Sequence, residues 1–187
     1  STFAVGGMGA GVVSAILVRA GLKAGYQVSF LDKKGLAIRN GGVYGHVIYS
    51  RNPSQVLAPM VPYGKADLIL GLDILETARG LDPKVNMRSA SSVRTRAIVN
   101  THKTPTVNSL IGREDFSPSS LEELIQKSVR RNEYAGLDFS EISQKYFGTR
   151  LYANLVLLGA AFQKGLLPVT LAQLEESVRE TVSKQDL

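Results

Sequence analysis

The period of hydrophobic positions changes repeatedly along the 187 residues, and those changes divide the chain into strands and helices. An apolar run at 3–5 meets the glycine cluster Gly6-Gly-Met-Gly-Ala-Gly11 and passes into a helical pattern over 12–24. Val13, Ile16, Leu17 and Ala20 share one face of that helix, and Gly25 closes it. Residues 26–31 read as a second, largely buried strand ending at Asp32. The stretch 33–45 is too rich in glycine for a stable helix, and a strand over 46–49 follows it. Pro53, Pro59, Pro62 and Gly64 make 51–65 a connection. A buried strand over 66–72 then leads to Asp73, which caps a helix over 74–81 that stops before Asp82-Pro83. Polar residues fill 84–96, another strand covers 97–100, and 101–105 turns out of it.

The second half is more helical. A Pro/Ser loop over 112–120 precedes an amphipathic helix over 121–131 capped at Ser119-Ser120, and a short strand is expected within 133–138. Helices follow over 142–147, 151–164 and 171–183, the last capped by Thr170. In the middle one Leu151, Leu155, Leu158 and Phe162 form an apolar stripe, while Ala153, Gly159 and Ala160 permit close approach, so it belongs to the core or to a subunit interface. Strands alternating with helices predict an α/β fold: a three-layer α/β/α, Rossmann-like, mainly parallel sheet with C-terminal helices. The length suits one domain over 1–187, and no internal repeat is visible.

Composition narrows the chemistry. Hydrophobic residues make up 44% and charged residues 20%, which is neither a disordered nor a membrane-embedded profile, and no apolar run approaches the roughly 18 residues of a membrane span. The chain opens at Ser1 on a strand without a basic n-region or cleavage site, and lacking an initiator Met it reads as trimmed, processed or cut from a longer chain; the expected location is the cytoplasm, with which the absence of cysteine is compatible. There is no cysteine, so disulfides, thiolate metal sites, a cysteine nucleophile and thiolate ligation of an iron–sulfur cluster are excluded for this chain. Only His46 and His102 offer imidazole, neither in metal-type spacing, and no nucleophile–base constellation is expected around them. A net charge of +6 raises the question of nucleic acid. The basic residues are dispersed as Lys33-Lys34, Arg88 to Arg96 and Arg130-Arg131 without interleaved aromatics, however, which suits solvated faces or an acidic partner better.

Two glycine-rich stretches carry the candidate chemistry. In the first, Gly6 and Gly11 fit the outer positions of a dinucleotide fingerprint but Met8 holds the middle one, with Gly7 and Gly9 beside it. Helix amides at such a turn bind anions, although the same turn is often purely structural. Asp32 stands where a ribose-binding acid follows such a turn, or simply ends its strand. In the second stretch Arg39 and Asn40 precede Gly41-Gly42, where Arg39 offers a forked donor to phosphate or carboxylate and the glycines admit a neighbouring surface. On this reading Gly42→Val does more damage than Gly165→Ala, and Arg39→Lys impairs function although charge is kept.

These residues resemble the small, gamma-type subunit or domain of 2-oxoacid:ferredoxin oxidoreductases, particularly the indolepyruvate type. The resemblance rests on the glycine turn with Val12-Val13, on Arg39-Asn-Gly-Gly42, on Pro62 (displaced by two) with Gly64-Lys-Ala-Asp67, on Val99-Asn100-Thr101, and on Asn154 to Gly159 with one residue more than usual. Their order spans nearly the whole chain. The sequence departs from the family pattern at Met8, where glycine is usual, and at Ala10, where a polar residue is usual. The resemblance implies a non-autonomous subunit of an enzyme that converts a 2-oxoacid, indolepyruvate or another aryl-pyruvate, and coenzyme A into an acyl-CoA, carbon dioxide and reduced ferredoxin. Thiamine diphosphate, Mg2+ and 4Fe–4S clusters are then carried by partner subunits, and this chain contributes no catalytic residue or metal ligand. Gly7, Gly9, Gly11, Arg39, Asn40, Gly41, Gly42, Asn100 and Thr101 are its expected contacts with substrate, cofactor or neighbouring subunits. Partners are thiamine-diphosphate-binding and ferredoxin-like subunits, with self-association of the isolated chain and no nucleic acid or membrane. Two alternatives stay open: a free-standing NAD(P)-binding oxidoreductase, and a non-catalytic assembly subunit.

Overall fold

The computed structural model describes residues 1–5, 9–34, 42–52, 54, 58–82, 84, 88–113 and 116–182. Strands β1 (Thr2–Val5), β2 (Gln27–Lys34), β3 (Gly42–Ser50), β4 (Leu68–Gly71), β5 (Arg96–Asn100) and β6 (Tyr134–Leu137) form one sheet in the order β2-β3-β1-β4-β5-β6. β1, β4, β5 and β6 pair in parallel, whereas β3 is antiparallel to both β1 and β2. β3 thus runs against all the other strands. The reason is local, because the connection at 35–41 is shorter than the dozen or so residues that a parallel crossover needs.

The helices are α1 (Ala10–Lys23), α2 (Ile74–Gly80), α3 (Val107–Leu110), α4 (Pro118–Ser128), α5 (Phe139–Phe147), α6 (Ala153–Gln163) and α7 (Leu171–Thr181). Period-2 alternation along the central strands supplies two cores. Ala4, Leu70 and Ile98 face Val13, Ile16, Leu17, Phe139, Leu157, Leu158 and Leu174 of α1, α5, α6 and α7. Phe3, Ile69, Ala97 and Val99 face Ile74, Ala78 and Ile125 of α2 and α4. Burial on both faces explains why these strands read as continuous apolar runs. The expected three layers are present, and among the described residues no helix is long and apolar enough to cross a membrane.

Several boundaries differ from the sequence reading. β2 continues past Asp32 to Lys34, because β3 starts at Gly42 and pairs with it along its whole length. α4 is capped at Ser117 rather than Ser119 or Ser120, with Pro118 in its first turn. α5 starts at Phe139, ahead of residue 142, because the Asp138 carboxylate accepts the Glu141 amide at 2.7 Å and Phe139 is drawn into the core. Leu151 lies outside α6 and is 70% exposed; the core-facing residues of that helix are Ala153, Leu157, Leu158 and Ala161. Leu155 and Phe162 pack only partly against this core, and a methyl on Gly159 would meet no atom within 4 Å, so Gly159 brings no described neighbour close. The short α3 carries no sequence signal that was legible.

Candidate functional site

β1, β4, β5 and β6 all end at one edge of the sheet, and β3 begins there, since Val5 pairs with Gly42. From β1 the chain crosses through α1 to β2 on one side. From β4 it crosses through α2 to β5 on the other. The two helices lie on opposite faces, so the gap between the carboxyl ends of β1 and β4 is a topological switch point, the usual ligand crevice of open α/β sheets.

Two predicted glycines border this gap for different reasons. Gly9 caps α1 with φ 74°, a left-handed conformation that favours glycine, and a methyl there would sit 3.3 Å from Asn154 Nδ2 at the start of α6. Among the described residues no side chain caps α1 and its first turn holds no acid, while the Val12 and Val13 amides both donate to the Gly9 carbonyl. Gly42 has no positive φ: it is the first residue of β3, so the strand expected over 46–49 begins four residues earlier. It is extended strand, and a methyl on it would collide with the Glu76 carboxylate. Gly11 is exposed on α1 with open space around it. Gly7, Arg39, Asn40 and Gly41 lie outside the described residues.

Glu76, in α2, is a group that sequence reasoning missed. It is 3% exposed. Asp73 accepts the Glu76 amide at 2.9 Å, and Arg79 Nη1 donates to Glu76 Oε1 at 2.6 Å. Oε2 is turned toward Gly42, and the Tyr44 hydroxyl lies 3.0 Å from the place a Gly42 methyl would occupy. Burial raises the Glu76 pKa despite Arg79, and burial together with Glu76 raises that of Tyr44. The sequence signal was only Asp73 three residues before Glu76, an N-cap pattern; the Glu76 side chain makes no reciprocal cap bond, since the Asp73 amide donates to the Phe3 carbonyl and the carboxylate is held by Arg79.

Asn100 and Thr101 are at the same edge, but Asn100 is 2% exposed and its bonding is spent inside the chain. Its Oδ1 accepts the amides of Phe139 and His102 at 3.0 and 3.3 Å, and its Nδ2 donates to Ser140 Oγ and the Leu72 carbonyl at 3.0 and 3.4 Å. It ties together the ends of β4, β5 and β6. The Thr101 amide donates to the Leu137 carbonyl at 2.9 Å and continues the β5–β6 pairing. Next to it His102 Nδ1 lies 3.0 Å from Asp138 Oδ2, an imidazole–carboxylate pair between residues far apart in sequence. That pair was not foreseen. The other histidine, His46, is 2% exposed in β3, with burial pushing its pKa down to about 4.

Asp32 does not serve as a ribose acid in the expected way. β3 stands between β2 and β1, so Asp32 is one strand removed from the glycine turn, and it accepts a hydrogen bond from Ser14 Oγ of α1 at 3.3 Å. In a dinucleotide fold the acid stands on the strand beside β1. At the opposite edge a mostly apolar cavity of about 370 Å³ lies among Leu17, Val47, Tyr49, Leu68 and Leu167, away from these polar groups. Among the described residues no group of three or more His, Asp or Glu could hold a metal ion, and the sequence has no cysteine.

Fold and edge define an open α/β protein whose candidate functional groups gather at the carboxyl ends of the central strands. Residues 2–187 match the family model described as pyruvate ferredoxin/flavodoxin oxidoreductase, and the chain belongs to that family. It is similar to the indolepyruvate oxidoreductase subunit IorB of Archaeoglobus fulgidus, with 30% identity over 187 residues covering 97% of this chain and 84% of the relative. The subunit of the same name from Pyrococcus horikoshii is 30% identical over 181 residues, covering 95% and 83%. The fold is shared with the crystal structure of pyruvate oxidoreductase subunit PORC from Thermotoga maritima, at TM-score 0.62 and 18% identity over 99% of this chain and 85% of that one. It is also shared with the gamma subunit of a keto/oxoacid ferredoxin oxidoreductase from Geobacter sulfurreducens, at TM-score 0.60 and 15% identity over 98% and 86%. The chain is accordingly a subunit of a 2-oxoacid:ferredoxin oxidoreductase.

Proposed function

We propose that this chain is the non-autonomous small subunit of a cytoplasmic complex that oxidatively decarboxylates an aryl 2-oxoacid with coenzyme A and passes the electrons to ferredoxin. The observation that carries the reading is the family match over residues 2–187 of a chain with no cysteine. Decarboxylation of a 2-oxoacid needs a carbanion-stabilising cofactor and an electron-transfer centre, and side chains supply neither. Thiamine diphosphate with Mg2+ and the 4Fe–4S clusters therefore belong to partner subunits. The role of this chain is to present its carboxyl edge, with Gly9 and Gly42, to the cleft where those partners meet substrate. The name of the relatives favours indolepyruvate over pyruvate as substrate class.

Affinity purification of the native chain tests the assignment. The expected result is co-purification of a thiamine-diphosphate-binding subunit and a cysteine-rich, ferredoxin-like subunit or domain in fixed proportion. Recovery of the chain alone, saturably binding NAD(H) or NADP(H), would replace this reading with that of a free-standing dehydrogenase.

A further inference from the structure

α6 is apolar nearly all round: of its eleven residues only Asn154 and Gln163 carry polar side chains. A helix of that composition is ordinarily buried on every side. Here one side alone is buried. Ala153, Leu157, Leu158 and Ala161 enter the core, while Leu155, Gly159 and Phe162, spaced i, i+4 and i+7, share the other side. Leu155 and Phe162 are partly exposed, Gly159 is exposed, and a methyl on Gly159 would meet nothing within 4 Å. The turn ahead of the helix adds to this face. Phe147 is 58% exposed and Leu151 is exposed beside it in the same turn; Phe147 packs edge-on against Tyr152, the N-cap of α6, with ring centroids 5.8 Å apart. The turn itself is ordered: Ser143 Oγ donates to the Thr149 carbonyl at 2.7 Å, Gln144 Nε2 to the Gly148 carbonyl at 3.0 Å, and the Leu151 amide to Thr149 Oγ1 at 3.2 Å. Its apolar side chains are thus presented outward on a fixed frame, which lowers the ordering cost of binding.

The charges select the occupant. From 142 to 174 the chain carries Lys145, Arg150 and Lys164, all exposed, and no acid. Lys145 and Arg150 precede α6 and Lys164 is its C-cap, so both ends of the face are cationic. Asp138, on which Arg150 acts, is already held by His102 and the Glu141 amide. A second copy packed on the same face about a two-fold axis would set these cations against one another, whether the two helices ran parallel or antiparallel.

We propose that the outer face of α6, with Phe147 and Leu151, is the docking surface for an apolar helix edged by carboxylates on another subunit. Within the proposed function that subunit is one of the cofactor-bearing partners, an assignment that rests on that reading. Phe147 and Leu151 are the anchors, Gly159 lets the partner helix come close, and Lys145, Arg150 and Lys164 face the acidic edge.

The test compares the full chain and its variants for association with the partner subunits isolated from the complex. Gly159→Leu projects into open space in the free chain, so its urea midpoint should equal or exceed that of the wild type, while a docked helix is wedged away. Leu151→Glu sets a carboxylate against the acidic edge. Each should weaken association about tenfold or more with the free chain still folded. Added salt should weaken the wild type more than the double variant Lys145→Gln with Arg150→Gln. Unchanged association of both Gly159→Leu and Leu151→Glu overturns the proposal, and when the partners bind thiamine diphosphate and carry clusters it leaves the proposed function standing. A dimer of the isolated chain that Gly159→Leu dissolves also overturns it, because the occupant is then a second copy. Partners that carry neither cofactor, yet are lost from both variants, support the surface and remove the proposed function instead.

Discussion

Gly42 is paired strand, and the space a side chain would need there is occupied by the Glu76 carboxylate. Gly42→Ala should therefore lower stability by about 1–3 kcal/mol through overpacking, with Gly42→Val worse. Shortening the neighbour in the same chain, as Gly42→Ala with Glu76→Ala, should recover most of that loss; equal losses with and without Glu76 would contradict the contact. Gly165 is a poor control, since its φ of +67° strains any side chain. Gly159 is a better one, being helical with open space around it, and Gly159→Ala should stabilise by roughly 0.4–1 kcal/mol. Urea midpoints read all four variants. His46 gives a second prediction. Its folded pKa, about 4, is below the ordinary 6.5, so the unfolded chain binds the proton more readily. The stability it contributes is present above about pH 6.5 and is lost as pH falls toward about 4. His46→Phe should flatten that part of the profile; an unchanged slope between pH 7 and 4.5 would show that other groups cause it.

At the scale of elements, what the sequence made legible follows from where the physics is local. Asp73, Thr170 and the glycine after α1 announced their helix ends because caps and left-handed residues act over a few positions. Apolar runs announced the central strands because both their faces are buried. The antiparallel β3 was not legible, since strand direction is set by the length of a connection and by what lies beside it. Nor were Glu76 beside Gly42 or His102 beside Asp138, contacts made only once distant elements pack. Position 151 shows the same limit: a helical stripe that included Leu151 looked continuous, yet the chain enters α6 two residues later and leaves that side chain exposed. Leu157→Ala should accordingly cost about 2–5 kcal/mol by opening a cavity. Leu151→Ala should stay within about 0.5 kcal/mol, as expected at an exposed site. Comparable losses at both positions, measured by chemical denaturation, would contradict the packing of α6.

For the whole molecule, the family match makes the chain a subunit of a 2-oxoacid:ferredoxin oxidoreductase, and the proposal adds that it works by being placed beside partners that carry the cofactors. The glycine cluster and the helix after it were visible in sequence; that Gly9 shares an edge with Gly42 and His102 was not, because that depends on the strand order. The central claim is that this chain supplies surface and positioning while its partners supply the redox chemistry. It is tested most directly by reconstitution from purified components, following reduction of a low-potential dye with an aryl 2-oxoacid and coenzyme A present. The chain alone should give no turnover, the cofactor-bearing partners alone little, and the combination sustained 2-oxoacid-dependent reduction. Turnover by the isolated chain, with a nicotinamide or without one, or full activity of the partners in its absence, would contradict the account.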